Sequence, residues 1–271
     1  MSALDPILES TRAEVARRQA SVPISRLARR EDEIRPFVAA LTAPGMSVIA
    51  EHKRRSPSAG VIREGVALRA VVEAYERGGA SALSILTEGP SFGGSLADLQ
   101  SARDAAALPL LRKDFIVDPY QVIESLAAGA DAILLIVAAL TPAELSTLHG
   151  SARSNGLAVL VEVHDERELE AAIAIGAEIV GINNRDLTTL VVDTTRTFEL
   201  LPRVPADVTV VAESGFSTRL ELDEVERAGA HAVLVGEALM RAPEIRSACA
   251  ALAGGRALAG QRTHGGCASP L

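Results

Sequence analysis

Charged and polar side chains end several short apolar runs of this sequence, and such positions suit chemistry. Lys113 follows Leu110 and Leu111 in the segment Leu-Leu-Arg-Lys-Asp-Phe. Five other apolar runs end in a similar way, with Glu51 and Lys53, Thr87 and Glu88, Glu162, Asn183, and Glu213 and Ser214. A charge at the end of a buried strand costs free energy unless it is paired or used. Several such ends that converge on one mouth would form an enzyme active site.

The first of these runs predicts an acid and an amine side by side. Side chains alternate across a strand, so Glu51 and Lys53 share one face. If that face is the interior of a barrel, Lys113 joins them from the third strand and Glu162 from the fifth. A set of structural ion pairs would leave the same pattern. We favour catalysis because two lysines and three glutamates all stand at strand ends.

Eight apolar runs must position these groups. They lie near 47–51, 82–86, 108–112, 132–138, 157–161, 178–182, 207–212 and 231–235. Amphipathic stretches between many of them predict helices over 66–77, 119–128, 142–154, 166–175, 194–200 and 218–227. This alternation indicates parallel strands covered by helices, and eight strands close a (β/α)₈ TIM barrel of the α/β class. An open doubly wound sheet is the alternative, but no Gly-x-Gly-x-x-Gly follows the first strand.

The pair Pro44 and Gly45 separates the barrel from the chain that precedes it. We predict an N-terminal helical extension over 1–43, a catalytic barrel over 44–254 and a flexible C-terminal tail over 255–271. The extension carries apolar residues that need burial, so we expect it to pack on the barrel, partly over the mouth. These residues include Ile7, Leu8, Phe37 and Val38.

Composition narrows the class of protein. The 271 residues are 48% hydrophobic and 23% charged, which is typical of a globular chain. A net charge of −8 argues against a nucleic-acid binder. No apolar run reaches the length of a membrane span, and the first ten residues do not resemble a signal peptide. We therefore expect a cytoplasmic protein that binds neither membrane nor nucleic acid.

Histidines and cysteines do not predict a metal site. The five histidines lack His-Glu-x-x-His spacing, and Cys249 and Cys267 lie far from any histidine-rich motif. His52 should point outward if Glu51 and Lys53 point inward, and we expect the same of His164. Neither histidine is therefore our candidate for a catalytic base.

Glycine at the ends of the last two strands indicates a phosphate site. Ser214 and Gly215 follow the seventh run, and Gly236 and Glu237 follow the eighth. Barrels often bind phosphate there through backbone N–H groups. Ser56, after the first strand, could add a hydroxyl. Ordinary turns would also contain these residues, but glycine in both final loops favours phosphate.

Other side chains at the mouth could bind an organic substrate. Asn183 offers both a donor and an acceptor for hydroxyls or amines. Arg185 could bind substrate or simply pair with Asp186. The apolar candidates, for each of which core packing is the alternative, are Phe92, Phe115 and Leu134.

At these residues the sequence resembles the indole-3-glycerol phosphate synthase family. The matching segments are 49–58, 86–95, 111–121, 161–164, 181–187, 212–215 and 234–239, and the block Arg-Lys-Asp-Phe is the most specific. The resemblance implies a barrel with an N-terminal helical segment over its mouth. It also implies ring closure of 1-(2-carboxyphenylamino)-1-deoxyribulose 5-phosphate with loss of carbon dioxide and water, a lyase step of tryptophan biosynthesis. The family uses no metal or organic cofactor.

The resemblance also implies roles. Lys113 looks like the acid that protonates the ketone oxygen, and Lys53 like the cation for the substrate carboxylate. Glu162 and Glu51 are the carboxylates for the loss of the hydroxyl, and the division of acid and base roles among Lys53, Glu51 and Glu162 stays open. Glu213 and Asn183 look like orienting groups. Substrate contacts are also expected from Arg185, Phe92, Phe115 and Leu134, and phosphate contacts from Ser56, Ser214, Gly215, Gly236 and Glu237.

Two other functions compete with this one. A related barrel enzyme, phosphoribosylanthranilate isomerase, has chemistry that resembles that of a cysteine–aspartate acid–base pair. Here both cysteines follow the last strand, which argues against that function. A non-catalytic scaffold would be free to lose its lysines and glutamates, which are all present. We therefore expect a phosphorylated small-molecule substrate and a monomer, with possible weak association with other enzymes of the tryptophan pathway.

Overall fold

Eight parallel strands form a closed barrel in the computed structural model, which describes residues 4–27 and 32–254. The strands are β1 Ser47–His52, β2 Ala82–Leu86, β3 Leu110–Lys113, β4 Ala132–Ile136, β5 Ala158–Val163, β6 Ile179–Asn183, β7 Thr209–Glu213 and β8 Ala232–Val235. Each strand pairs with the next, and β8 pairs with β1. The predicted (β/α)₈ fold is confirmed, and all eight apolar runs overlap a barrel strand.

Among the described residues, two helices precede the first strand, seven alternate with the strands on the outside of the barrel, and two follow the last strand. They are α1 Asp5–Ser21, α2 Phe37–Leu41, α3 Leu68–Arg77, α4 Leu96–Ala105, α5 Pro119–Ala127, α6 Pro142–Ser154, α7 Glu166–Ala174, α8 Thr195–Leu200, α9 Arg219–Ala228, α10 Glu237–Arg241 and α11 Ile245–Leu252. The six predicted helices of the barrel are present. Three helices were not predicted: α4, α10 and α11. Across the described part of the chain, none of the helices is long and apolar enough to cross a membrane.

Local sequence signals begin several of these helices. At the start of α5, α6 and α9 the cap side chain accepts a bond from the first turn, and a side chain of that turn reaches back to the cap. Such reciprocal bonds satisfy backbone N–H groups that a helix leaves unpaired. The cap pairs are Asp118 with Gln121, Thr141 with Glu144, and Thr218 with Glu221.

Two apolar clusters lie on the two faces of the strands. The larger one packs the outer face of the barrel against the helices. The second cluster includes the barrel interior, where Ile49, Leu111, Leu160 and Val211 are fully buried. This interior is a packed core, so a substrate can reach only the ends of the barrel.

The N-terminal segment contacts both ends of the barrel. At the end where the strands finish, Arg18 of α1 pairs with Glu124 of α5 at 2.7 Å, and Ile7 and Leu8 pack on the interior cluster. At the opposite end, Ser47 begins β1, and its hydroxyl donates to the carbonyl of Ala40 in α2 at 3.2 Å. The expected tail over 255–271, with Cys267, lies outside the described residues.

Candidate active site

The strand ends line a cavity of about 130 Å³ at the mouth of the barrel. Every catalytic and substrate-binding candidate named from the sequence lines it. These residues are Glu51, Lys53, Phe92, Lys113, Phe115, Leu134, Glu162, Asn183, Arg185 and Glu213. Phe92 and Phe115 lie with their ring centres 6.4 Å apart and form an aromatic wall. The cavity therefore combines apolar walls with a few charged groups, as small-molecule sites do.

Lys113 stands between two carboxylates from across the barrel. Its Nζ donates to Glu162 Oε2 at 2.8 Å and to Glu213 Oε2 at 2.7 Å. All three side chains are largely buried, with exposed fractions of 13%, 3% and 2%. One ammonium thus pairs with two carboxylates in a largely buried site.

This arrangement shifts the pKa of each group. Burial alone would lower the pKa of Lys113, but Glu162 and Glu213 outweigh burial and raise it well above its ordinary value. Burial and the nearby charge of Glu162 raise the pKa of Glu213 to about 7, against the opposing effect of Lys113. Burial would also raise the pKa of Glu162, but Lys113 and His164 hold it well below its ordinary value. The two carboxylates share one lysine, and their surroundings move their pKa values in opposite directions.

Glu51 and Lys53 form a second pair on the first strand. Lys53 Nζ lies 2.7 Å from Glu51 Oε1, and the hydroxyl of Ser84 donates to Glu51 Oε2 at 3.2 Å. Burial would raise the pKa of Glu51, but Lys53 and Lys113 hold it below its ordinary value. Gly236 makes room for this pair, since a β-carbon there would lie 2.6 Å from Glu51 Oε1.

A side pocket opens from the mouth between the last two strand ends. Ser214, Gly215, Gly236 and Glu237 line it, together with Lys53, Arg185, Ser217 and Arg241. Ser214 and Gly215 have φ angles of 63° and 94°, which mark a tight turn, and backbone N–H groups of turns can bind anions. Ser56 lines neither cavity. Its hydroxyl accepts from the backbone N–H of Ala59 at 3.2 Å, in a short hairpin of Arg55–Ser56 with Gly60–Val61.

Asn184 holds the turn at Ser214. Its Nδ2 donates to the Ser214 carbonyl at 2.9 Å, and its Oδ1 accepts from the backbone N–H and the hydroxyl of Thr197 at 3.1 and 2.8 Å. Asn184 is fully buried. The sequence pointed only to its neighbours, Asn183 and Arg185, because the repeated Asn does not reveal which amide faces the cavity.

Asp114 and Leu187 of the cavity wall were not among the sequence candidates, and Glu88 was named only as a polar strand end without a role. Glu88 Oε2 accepts from the backbone N–H groups of Ser91 and Phe92 at 2.7 and 2.9 Å, so it shapes the loop that carries Phe92. The end of the second apolar run at Glu88 was the available signal. Asp114 lies beside Lys113 in sequence and pairs with the buried Arg112 at 2.8 Å.

The two histidines next to the glutamates differ. His52 is buried, and burial and Arg54 lower its pKa to about 4. His164 does not point away from the site as expected, because residues two apart on a strand share a face. Its Nε2 lies 3.4 Å from Glu162 Oε1. Within 4–27 and 32–254, no group of three or more His, Cys, Asp or Glu side chains is arranged to hold a metal ion.

Comparison with known proteins finds one family over nearly the whole chain. A family model described as indole-3-glycerol phosphate synthase matches residues 4–252. The chain is 48% identical to the indole-3-glycerol phosphate synthase of a Nocardioides species, over 89% of this chain and 94% of that protein. It is 46% identical to indole-3-glycerol phosphate synthase 1 of Streptomyces coelicolor, over 92% and 93%.

Solved structures of more distant sequence share the fold. The thiamine phosphate pyrophosphorylase of Pyrococcus furiosus aligns with a TM-score of 0.57 at 19% identity, over 79% of this chain and 95% of that chain. At that identity, the likeness shows a common barrel and no common chemistry.

Proposed function

This chain belongs to the indole-3-glycerol phosphate synthase family, and on that premise we propose which of its residues perform each step. It is an enzyme of tryptophan biosynthesis, a carboxy-lyase. Its reaction converts 1-(2-carboxyphenylamino)-1-deoxyribulose 5-phosphate into indole-3-glycerol phosphate, carbon dioxide and water. A phosphorylated small molecule is therefore its substrate.

We assign ring closure to Lys113. As the aromatic carbon attacks the ketone, the ketone oxygen gains negative charge and needs a proton. The observation that carries this assignment is the position of Lys113 between Glu162 and Glu213, at 2.8 and 2.7 Å. Two carboxylates keep the amine protonated at neutral pH, which is the form that can donate. The wall of Phe115 and Leu134 beside it suits the aromatic ring of the substrate.

We assign the substrate carboxylate to Lys53, the second cation of the cavity. An ammonium there would orient the carboxylate until it leaves as carbon dioxide. Glu51 holds Lys53 in place at 2.7 Å, so a bound substrate carboxylate would share Lys53 with Glu51. Asn183 and Arg185, which line the same cavity, are proposed to contact the hydroxyls and the amine.

For the loss of water we assign the base to Glu162 and the second acid to Lys53. A base must be ionised and must lie at the mouth, and Glu162, which Lys113 and His164 keep ionised, meets both conditions. Lys53 is a second ammonium at the mouth and can protonate the departing hydroxyl. Glu51, with its carboxylate on Lys53, is then a positioning group.

We place the phosphate in the side pocket of Ser214, Gly215, Gly236 and Glu237, the last through its backbone. The positive φ angles at Ser214 and Gly215 and the cations Lys53 and Arg241 support this location. Ser56 is the weakest member of the proposed set because it lies outside the pocket wall. Its hydroxyl would have to turn away from Ala59 to contact an anion.

Several further expectations stay predictions. They are the division into 1–43, 44–254 and 255–271, a cytoplasmic location, and a monomer with weak association with other enzymes of the tryptophan pathway. Size-exclusion chromatography with light scattering tests the oligomeric state.

An assay with the carboxyphenylamino substrate tests the assignment of Glu162. The product contains an indole ring, so its fluorescence reports turnover. We expect wild-type turnover and a loss of at least about 10²-fold in Glu162→Gln, the size of a lost acid–base group. The matched control is Glu166→Gln on the exposed start of α7, which should retain full activity. No product from the wild-type protein would contradict the function, and an active Glu162→Gln variant would contradict the assignment.

A further inference from the structure

We propose that His164 is a positioning residue that keeps Glu162 ionised, so that a proton entering the site goes to Glu213 instead. The effect on turnover rests on the base role proposed for Glu162. The effect on protonation does not depend on that role. The observations concern the backbone around His164, the two oxygens of Glu162 and the surrounding charges.

Glu168 holds the ring of His164 in place through its Nδ1 edge. Glu168, in the first turn of α7, accepts from the backbone N–H of His164 at 2.8 Å, and the same oxygen lies 3.0 Å from Nδ1. A carboxylate can only accept, so Nδ1 carries the proton of that bond. Asp165 caps α7 by accepting from the backbone N–H of Glu168. The start of the helix thus fixes Glu168, and Glu168 fixes the imidazole.

The free edge of the ring then faces Glu162. His164 Nε2 lies 3.4 Å from Glu162 Oε1, which is an ion-pair distance, and this nitrogen makes no hydrogen bond among the described atoms, while Glu162 Oε2 accepts from Lys113 at 2.8 Å. Each oxygen of this carboxylate therefore faces its own cation when the imidazole is protonated. Glu213 differs, because Oε2 bonds to Lys113 but the buried Oε1 has no hydrogen-bond partner among the described atoms.

The charges around His164 favour its protonated form. Burial would lower the pKa of His164, but Glu162 and Glu168 outweigh burial and raise it to about 9. At neutral pH the ring is therefore an imidazolium, in a row of alternating charges from Lys113 through Glu162 and His164 to Glu168. Glu51 on β1 also acts on Lys113 from across the mouth.

This row of charges makes Glu162 harder to protonate than Glu213, although the two carboxylates otherwise have similar surroundings. Both are buried and both bond to Lys113. An opposite charge within about 4–6 Å favours the ionised form of a carboxylate by roughly 1–3 pKa units. Among the ion pairs of residues 4–27 and 32–254, Glu162 pairs with both Lys113 and His164, whereas Glu213 pairs with Lys113 alone. Glu213, with a pKa of about 7, is then the group that takes up a proton near neutral pH.

His164→Gln tests the proposal because it removes the charge and keeps a polar side chain. We expect the acid limb of the pH profile of kcat/KM to move to higher pH by about 1 unit or more. The matched control is His149→Gln on α6, a histidine whose pKa is lowered by burial and which lies outside the cavity wall. It should leave the profile unchanged. An acid limb at the wild-type pH in His164→Gln, whatever the loss of rate or thermal stability, would overturn the proposal.

Glu168→Gln is the second variant, for the case that His164→Gln does not fold. It removes the charge that helps keep the imidazole protonated, so we expect a smaller shift in the same direction. An unmoved profile in Glu168→Gln would then count against the proposal.

A direct titration separates the proposal from the catalytic role of Glu162. The protein is labelled with ¹³C at the glutamate carboxyl groups, and Glu162→Gln and Glu213→Gln identify the two signals. We expect the Glu162 signal of His164→Gln to titrate about 1 unit or more above that of wild type. Equal titration in both proteins would overturn the proposal. An active Glu162→Gln enzyme would overturn only the base role.

Discussion

Gly181 leaves the space that the carboxylate of Glu213 occupies. A β-carbon built on Gly181 of β6 would overlap Glu213 Oε1, which belongs to the neighbouring strand β7. With that space available, the other oxygen of Glu213 reaches Lys113 at 2.7 Å. A glycine without any polar atom of its own thus helps to set the position of a charged side chain in the site.

Gly181→Ala should therefore impair turnover while the barrel stays folded. The added methyl group must displace the Glu213 carboxylate from Lys113, and misplacing a catalytic group by about 1 Å can cost ~10²-fold in rate. We expect kcat to fall by about 10- to 100-fold, measured by indole fluorescence. Gly150→Ala is the matched control, since a β-carbon at Gly150 in α6 meets nothing within 4 Å. A fully active Gly181→Ala enzyme would show that Glu213 has room to move.

The protonation of Lys113 can be measured directly, because Lys53 and Lys113 are the two lysines of the 271-residue chain and a lysine label reports on few sites. Protein labelled with ¹³C at the lysine ε-carbons should give two signals, and Lys113→Ala identifies them. We expect the Lys113 signal to keep the chemical shift of an ammonium at pH values above the ordinary lysine pKa of about 10.4. Titration at or below that value would contradict the pairing with Glu162 and Glu213.

The sign of the linked effect on stability follows from the raised pKa of Lys113. The amine of Lys113 binds its proton more strongly in the folded state than in the unfolded chain. Its contribution to the free energy of unfolding is therefore fully present below the unfolded pKa, and it is lost as pH rises toward the folded pKa. The difference in the free energy of unfolding between wild type and Lys113→Met should become smaller as pH rises above about 10. Urea denaturation at several pH values measures it.

Asn184→Ala should weaken substrate binding more than it slows chemistry. It removes the bond to the Ser214 carbonyl and leaves the buried donors of Thr197 unpaired, which costs about 1–3 kcal/mol. If the Ser214 turn binds the phosphate, KM should rise about 10-fold with a smaller change in kcat. The control is Asn155→Ala, whose amide donates to the Ser151 carbonyl at the end of α6. An unchanged KM would argue against this phosphate site, as would a crystal grown in sulfate with the anion elsewhere at the mouth.

Two truncations should separate the two parts of the N-terminal segment. Deletion of residues 1–27 removes α1 from the mouth, and we expect a folded barrel with a higher KM. Deletion of 1–43 also removes Phe37 and Leu41, which are buried in the interior cluster. Each such side chain contributes about 1.5–3 kcal/mol, so Tm should fall much further. Equal Tm values for the two truncated proteins would contradict this division, and an unchanged KM without α1 would remove its role at the mouth.

The sequence reveals the barrel and most of the cavity wall for a definite physical reason. Parallel strands buried on both faces read as continuous apolar runs, so the polar residue that ends each run stands out. Glu162 and Lys113 could be found in this way. Helix α4 could not, because its residues Leu96–Ala105 carry few large apolar side chains and its start depends on the cap at Ser95.

Other features depend on neighbours that are distant in sequence. The role of Gly181 requires knowing that Glu213 lies beside it, and the role of Asn184 requires the position of Ser214. The hydroxyl of Ser56 accepts from the N–H of Ala59 within a short hairpin, and no apolar pattern in the sequence predicts that hairpin. His164 was within reach, because alternation along the strand already places it on the same face as Glu162.

The most direct test of the account is the turnover of Lys113→Ala with the carboxyphenylamino substrate at saturating concentration. Lys113 is assigned the proton for the ketone oxygen, so the first bond cannot form at a normal rate without it. We predict a loss of at least about 10²-fold in kcat with the circular dichroism spectrum of a folded barrel. A folded Lys113→Ala protein that forms indole-3-glycerol phosphate at a rate near that of wild type would contradict the assignment.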